Sequence, residues 1–137
     1  MGLILDSSIV IAAERRGDTP FQLLRQIASA AGDQQVAISS VALTEIVHAV
    51  YRASTPEVRR RREAFIQSFL ADVEVVPYAR STAFLAGRLD GEQRALGVTV
   101  PSMDLLIGAT AIDIGYSLVT VNLRHFQLIP GLAIVTL

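Results

Sequence analysis

The sequence predicts a single domain over residues 1–137, an α/β fold in which a parallel central sheet forms the middle layer of a three-layer α/β/α sandwich. Short, continuously apolar segments alternate with longer segments whose apolar residues recur every three or four positions. The first pattern is typical of strands buried on both faces, and the second of helices that cover a sheet. A chain of 137 residues that is 51% hydrophobic has enough apolar material for one core.

The first part of the chain reads as one strand followed by two helices. An apolar strand spans residues 3–5 and ends at Asp6, and we expect Ser7 or Ser8 to cap the helix that follows. Asp6 could itself be the cap, but the presence of further acids favours a metal-binding role for it. The pair Thr19–Pro20 then begins a second helix, because threonine is a good capping residue and proline suits the first helical position. The second helix returns the chain to the start of the sheet.

The middle of the chain repeats this arrangement twice. A strand over residues 36–38 precedes a helix that Ser39 or Ser40 caps. The pair Thr55–Pro56 begins a fourth helix, which forms an αα-hairpin with the third. A further strand over residues 73–76 leads into a fifth helix.

The last third of the chain supplies a sixth helix and two more strands. This helix is almost entirely apolar, and we expect Ser102 to cap it and Gly115 to end it. A fourth strand spans residues 118–121 and is followed by a short turn over residues 123–126. The final strand spans residues 133–135 and completes the predicted sheet.

The composition excludes several classes of chemistry. The chain has no cysteine and two histidines, so thiolate sites are impossible and a metal ion would have oxygen ligands. All twelve basic residues are arginine, which removes Walker-type phosphate loops and Schiff-base chemistry. The net charge of −1 provides no general field for nucleic acid. No apolar run approaches the roughly 18 residues of a membrane span, so we expect a cytoplasmic protein without a membrane segment.

Polar residues follow several of the predicted strands. Asp6 ends the first strand, Glu45 lies in the helix after the second, and Asp104 lies in the first turn of the sixth helix. Thr120 and Asn122 stand at the end of the fourth strand. Ligands of parallel sheets bind at the carboxyl ends of the strands, where the strand order reverses. We therefore expect these side chains to converge on one crevice.

A divalent cation is the partner that such a crevice requires. Neighbouring carboxylates repel one another unless a cation compensates, and the chain contains no lysine. Mg²⁺ and Mn²⁺ prefer oxygen ligands, polarise phosphoryl oxygens and make water a better nucleophile. The acidic residues therefore indicate Mg²⁺-dependent or Mn²⁺-dependent phosphodiester hydrolysis.

Four segments occur in an order and at a spacing typical of one family: Leu5–Ser8, Ser40–Ile46, Ser102–Ala111 and Leu118–Phe126. Together they resemble the PIN-domain ribonucleases and, more narrowly, the VapC toxins of type II toxin–antitoxin pairs. The resemblance extends over residues 3–135. No single segment is specific to the family, whereas the ordered set is.

The resemblance assigns roles to individual residues. Asp6 and Asp104 match the metal-binding aspartates of the family, and Glu45 matches the glutamate that completes the acidic pocket. Ser8 matches the small hydroxyl residue beside the first aspartate. Asn122 matches a position that is aspartate in many PIN nucleases and asparagine in a number of toxins. Because asparagine lacks the charge, we expect a site for one metal ion rather than two.

The resemblance also implies an activity and partners. The family hydrolyses single-stranded or loop RNA with a metal-activated water and leaves 5′-phosphate and 3′-hydroxyl ends. The implied partners are an RNA substrate, a cognate antitoxin whose tail fills the acidic groove, and a second copy of the chain in a homodimer. We assign Asp6, Glu45, Asp104 and Asn122 to catalysis. Ser8 and Thr120 are the candidates for contact with the substrate.

Two other functions fit parts of the pattern. A catalytically weak PIN-like module that binds RNA or protein would explain Asn122. A phosphatase with Asp6 as its covalent nucleophile would explain an aspartate at the end of the first strand. Such phosphatases keep a second acid where this chain has Ser8, and the lysine that commonly stabilises their phosphoaspartate is absent.

Three other features are expected to be structural. His48 follows Glu45 by three residues, but a di-iron bundle needs two such pairs, and His125 is expected to pack or to form hydrogen bonds in its turn. The arginine run Arg59–Arg62 spans about a full helical turn and cannot lie on one face. We expect Glu57–Arg61 and Arg59–Glu63 to pair along the helix, with contacts to RNA or an acidic partner as the alternative role.

Overall fold

The computed structural model describes all residues, 1–137. The strands are β1 (Gly2–Leu5), β2 (Gln35–Ser39), β3 (Glu74–Val76), β4 (Ser117–Thr120) and β5 (Ile134–Thr136). The helices are α1 (Ser7–Arg16), α2 (Pro20–Ala31), α3 (Ser40–Tyr51), α4 (Pro56–Asp72), α5 (Arg80–Ala95), α6 (Ser102–Ile114) and α7 (Leu123–Phe126). No helix is both long and apolar enough to cross a membrane.

The five strands form one parallel sheet in the order β3-β2-β1-β4-β5. The central strand is fully buried, and Ile4 lies opposite Ala37 on one side and Leu118 on the other. A parallel sheet buried on both faces needs helices on both faces, and the main hydrophobic core joins the strands to these helices. The predicted three-layer α/β/α sandwich is confirmed.

The strand order reverses between β1 and β4. From β1 the chain adds β2 and β3 on one side, and it then returns to add β4 and β5 on the other side. The crevice of such a sheet lies outside the carboxyl ends of the strands at this reversal. Asp6 follows β1 and Asn122 lies two residues beyond β4, so both lie at this crevice.

Two of the predicted helix caps are wrong. Asp6, not Ser7 or Ser8, is the capping residue of α1, because its backbone is extended and its carbonyl accepts a hydrogen bond from Ile9 N. Its carboxylate makes no capping hydrogen bond. At α6 the capping position is Pro101 rather than Ser102, and the carbonyl of Pro101 accepts from Leu105 N at 2.9 Å.

The segment after β4 also differs from its prediction. The strand ends at Thr120, and Val121 lies outside it with an exposed side chain. The predicted turn over residues 123–126 is one helical turn, α7, whose Phe126 is buried in the core. This anchored turn fixes the direction of the polar side chains on α7.

The predicted ion pairs within the arginine run do not form. Arg61 and Arg62 instead reach across to Glu14 of α1, at 3.4 Å and 3.7 Å. Arg62 also donates to the carbonyl oxygen of Ala49, and Arg59 lies over the ring of Tyr51. Glu14 is buried, and a buried carboxylate is costly unless cations lie nearby. Pairing the arginines with Glu14 therefore stabilises the fold more than the weak ion pairs that were predicted along the exposed face of α4.

Candidate active site

Asp6 is the most enclosed acid of the crevice, with 4% of its surface exposed. Its backbone N–H donates to Val119 O of the neighbouring strand, which fixes its position at the sheet edge. Its carboxylate oxygen Oδ2 accepts hydrogen bonds from Ser8 Oγ at 2.6 Å and from Thr120 Oγ1 at 2.9 Å. Both hydroxyl groups therefore orient the carboxylate. Their predicted contact with substrate stays a prediction.

Glu45 projects from α3 toward the same crevice. Its carboxylate oxygen Oε1 accepts a hydrogen bond from Ser7 Oγ at 2.8 Å, whereas Ser7 Oγ lies 3.5 Å from Asp6 Oδ1. A hydroxyl group has one hydrogen, and the shorter contact assigns it to Glu45. Ser7 thus links the start of α1 to α3. Sequence reasoning considered this serine only as a cap, although its position beside Asp6 was a usable signal.

Asp104 enters the crevice from the first turn of α6. Its carboxylate oxygen Oδ2 lies 2.7 Å from His125 Nδ1 of α7. A carboxylate can only accept, so the imidazole donates its Nδ1 hydrogen to Asp104. The expectation of a hydrogen-bonding role for His125 is confirmed. Its partner in the acidic site was missed, although His125 follows Asn122 by one helical turn.

Asn122 occupies the mouth of the crevice between β4 and α7. Its backbone N–H donates to Thr120 Oγ1 at 2.8 Å, so Thr120 accepts from Asn122 while it donates to Asp6. The side-chain nitrogen of Asn122 lies 3.0 Å from His125 Nδ1. Because that ring nitrogen donates its hydrogen to Asp104, it cannot also accept one from the Asn122 amide, and the two groups are in close contact rather than hydrogen-bonded. The structure places all six predicted site residues at the carboxyl edge, with Ser7 and His125 beside them.

The crevice carries negative charge that no arginine side chain compensates. The pKa of Glu45 is raised, first by burial and then by the charges of Asp6 and Asp104, against the hydrogen bond from Ser7. The pKa of Asp104 is raised by burial and by the charge of Asp6, against the hydrogen bond from His125. No arginine forms an ion pair with any of these three carboxylates. The site therefore favours a bound cation or a proton.

We expect Glu45→Gln to raise the melting temperature of the metal-free protein at pH 7. A folded-state pKa above the usual 4.5 makes the ionised carboxylate destabilising, so stability is lost as the pH rises from 4.5 through the raised pKa. Glutamine keeps the shape and can still accept from Ser7. Thermal melts in chelator at pH 4 and pH 7 measure the difference, which should vanish at the lower pH.

Glu63→Gln is the matched control, because Glu63 is exposed on α4 and has no ion pair. It should melt at the same temperature as the unchanged protein at both pH values. A Glu45→Gln protein that melts below the unchanged protein at pH 7 would show that the glutamate charge is compensated within the chain.

The donor set fits a divalent cation held in an open site. All donors that face the crevice are carboxylate, hydroxyl, amide or imidazole groups, and the charge of Asp6 helps to raise the pKa of both Glu45 and Asp104. Nowhere in the chain do three acidic or histidine side chains form a closed metal cage. Mg²⁺ characteristically binds one or two carboxylates and keeps several waters, so it does not require such a cage. Each of the three carboxylates is oriented by at least one neighbouring donor, and Asp6 by two.

Comparison with known proteins agrees with this arrangement. The family model described as PIN domain matches residues 3–131. The chain is 34% identical over 136 residues to Ribonuclease VapC1 of Rickettsia felis, an alignment that covers 99% of this chain and 96% of the relative.

Two solved structures share the whole fold. A crystal structure of VapBC2 from Rickettsia felis bound to a DNA fragment from its promoter contains a chain that is 26% identical, with a TM-score of 0.86 and coverage of 100% of this chain and 99% of that one. VapBC-5 of Mycobacterium tuberculosis, from the VapBC family of toxin–antitoxin systems, is 27% identical, with a TM-score of 0.77 and full coverage of both chains. This chain belongs to the PIN-domain family and, within it, to the VapC ribonucleases.

Proposed function

We propose that this chain is the toxin of a toxin–antitoxin pair, an endoribonuclease that hydrolyses RNA with Mg²⁺ or Mn²⁺ held by Asp6 and Asp104. The observation that carries the proposal is the convergence of three carboxylates from β1, α3 and α6 on one crevice without a compensating arginine. The ribonuclease relatives support RNA as the substrate. Metal dependence follows from the donor set.

Each residue has a defined task in this reaction. A bound divalent cation would polarise a phosphoryl oxygen and acidify water. Asp6 and Asp104 present carboxylate oxygens to it, held in place by Ser8, Thr120 and His125. Glu45 accepts the proton of the attacking water, and its raised pKa brings it nearer to that of an effective general base at neutral pH.

The remaining site residues complete the crevice. In our assignment the side-chain amide of Asn122 would complete the metal shell. Because this amide is neutral, the site favours one metal ion rather than two. Ser8 and Thr120 line the approach of the substrate at Asp6. His125 is a positioning residue, because it acts on the reaction through the orientation of Asp104.

The proposed protein partner is an antitoxin whose tail enters the acidic crevice and excludes RNA. Solved relatives are complexes of the VapBC type, which supports such a partner. We also propose a homodimer, since Val47 and Tyr51 of α3 leave apolar surface exposed on the αα-hairpin. Both partners would bury surface that the isolated chain leaves in water.

The purified protein is expected to cut a pool of structured RNA in Mg²⁺ buffer and to leave 5′-phosphate ends. A water nucleophile produces these ends, whereas attack by the RNA 2′-hydroxyl leaves a cyclic phosphate. Ligation of an adaptor that requires a 5′-phosphate, followed by sequencing, measures the end chemistry and the cleavage sites. Asp104→Asn keeps the size of the side chain and should abolish the products.

The same experiment separates the alternatives. Cyclic phosphate ends would contradict the proposed roles of Asp6 and Glu45. A folded protein that binds the RNA pool and never cuts it would be the binding module. A stable phosphoenzyme at Asp6 would instead indicate the phosphatase.

A further inference from the structure

A groove leads away from the acidic crevice along the surface between α1 and α3. We call it the arginine groove. Its polar lining comprises Ser7, Arg15, Glu45, His48, Arg52, Ser54 and Arg62. Ser7 and Glu45, which are joined by a hydrogen bond, belong to both the crevice and the groove. The groove is therefore a continuation of the site and has one acidic end.

The helical repeat explains how these residues share one groove. Ser7, Ile11 and Arg15 are four residues apart on α1 and lie on one face of that helix. Glu45, His48 and Arg52 follow the corresponding spacing of three and four residues on α3 and its C-terminal cap. Seven or eight residues of helix rise about 10–12 Å, so Arg15 and Arg52 each lie roughly two turns from the carboxylate end.

Two of the three arginines in the groove have no acidic partner. Arg62 pairs with the buried Glu14 and donates to a backbone carbonyl, so its charge is already used within the fold. Arg15 and Arg52 are exposed and form no ion pair. Both lie at the C-terminal end of a helix, Arg15 in the last turn of α1 and Arg52 at the cap of α3, where the helix dipole favours a cation. Their guanidinium groups make no ion pair within the fold and can contact a ligand in the groove.

We propose that the arginine groove binds the phosphodiester backbone of RNA beside the cleavage site, with Arg15 and Arg52 contacting phosphates. The proposal rests on the proposed function, because that function places the scissile phosphate at Asp6 and Glu45. An RNA strand whose scissile phosphate lies at these acids extends beyond the crevice on both sides. The groove provides a path for it and lines that path with guanidinium groups, which match the geometry of phosphate oxygens. The arginines would supply affinity and register rather than chemistry.

The lining favours RNA over an acidic protein segment. Of the nine residues that line the groove, only Ile11 and Ala49 are apolar, whereas protein-binding grooves rely on apolar anchors. At the acidic end of the groove, Asp6 and Asp104 would hold the divalent cation of the proposed function, which would offset the negative charge of an RNA phosphate there.

Binding of a 5′-fluorescein-labelled, 20-nucleotide single-stranded RNA, measured by fluorescence anisotropy in chelator, tests the groove without cleavage. We expect R15A/R52A to weaken binding about tenfold at low salt and to reduce the slope of log K against log salt by about 1.4, which is 0.7 for each lost phosphate contact. R15K/R52K keeps the charges and should recover most of the affinity while losing the bidentate contacts.

R25A/R88A is the matched control, because it removes two exposed arginines outside the groove and changes the net charge equally. It should bind RNA nearly as well as the unchanged protein. An equal loss of affinity in both double variants would show a dependence on overall charge alone and would overturn the proposal. Unchanged RNA binding by R15A/R52A would overturn the proposal as well. If that variant bound RNA normally but no longer bound the antitoxin, the groove would be a protein-binding surface instead.

Cleavage kinetics in Mg²⁺ separate this proposal from the proposed function. We expect R15A/R52A to raise KM for a long RNA about tenfold and to leave kcat unchanged, because both arginines lie outside the carboxylate site. RNA binding that depends on the two arginines in a protein that never cuts would support the groove and contradict the nuclease. Normal cleavage with unchanged KM in R15A/R52A would contradict the groove and leave the nuclease standing.

Discussion

Replacement of Asp6 by asparagine is expected to lower RNA cleavage by more than about 100-fold while the fold remains intact. Residues that merely support a metal ligand contribute about 10–100-fold, and a ligand itself should contribute more. Asparagine has the same shape and can still accept hydrogen bonds from Ser8 and Thr120 through its amide oxygen. The change therefore removes charge and a carboxylate oxygen but little packing. Initial cleavage rates in Mg²⁺ and circular dichroism measure the two quantities.

Asp90→Asn provides the control for this substitution. Asp90 pairs with Arg94 on the surface of α5, and surface pairs of this kind contribute about 1 kcal/mol or less. Its cleavage rate should equal that of the unchanged protein. An Asp6→Asn protein that cuts within threefold of the unchanged rate would show that the carboxylate of Asp6 does not hold the cation.

Truncation of Phe126 to alanine is expected to destabilise the protein by about 3–5 kcal/mol. The ring is 0% exposed and anchors α7, which packs against α6 and β5. Total stabilities of domains are typically about 5–15 kcal/mol, so the loss is a large share of the whole. Because α7 also carries His125, the loosened turn should misplace the donor to Asp104. Urea denaturation measures the loss of stability.

Phe84→Ala removes the same side chain from an exposed position. Phe84 is 70% exposed on α5, where its ring makes a cation–π contact with Arg80, so we expect a change within about 0.5 kcal/mol. Similar denaturation midpoints for the two alanine variants would contradict the assignment of α7 as a core-anchored turn.

The layer architecture was predictable from the sequence because short apolar segments indicate the strands. Residues 3–5 and 36–38 are apolar at every position, as a strand between two helix layers must be. The carboxyl-edge location of Asp6 and Asn122 then follows from parallel strand direction alone. Glu45 and Asp104 were predicted at the same crevice from their positions near strand ends, but a helix presents acids to solvent as readily as to a crevice, so the family resemblance added the stronger support.

The details that escaped prediction depend on contacts between distant segments. Arg61 pairs with Glu14, 47 positions earlier, which no local spacing rule indicates. The hydrogen bond of Ser7 goes to Glu45, 38 positions later, and that of His125 goes to Asp104 on another helix. The caps of α1 and α6 were predicted one or two residues too late in the chain. At α1 the reason is that serine and aspartate are both good capping residues and Ser7 and Asp6 are adjacent.

The central claim is that the carboxylates at the sheet edge hold a divalent cation that RNA cleavage requires. The most direct measurement is the cleavage rate of a labelled RNA by protein stripped with chelator, followed during titration with Mg²⁺ or Mn²⁺. We predict no cleavage in chelator and a saturable return of activity with either ion, absent in Asp6→Asn. Cleavage at the full rate in excess chelator would contradict the account.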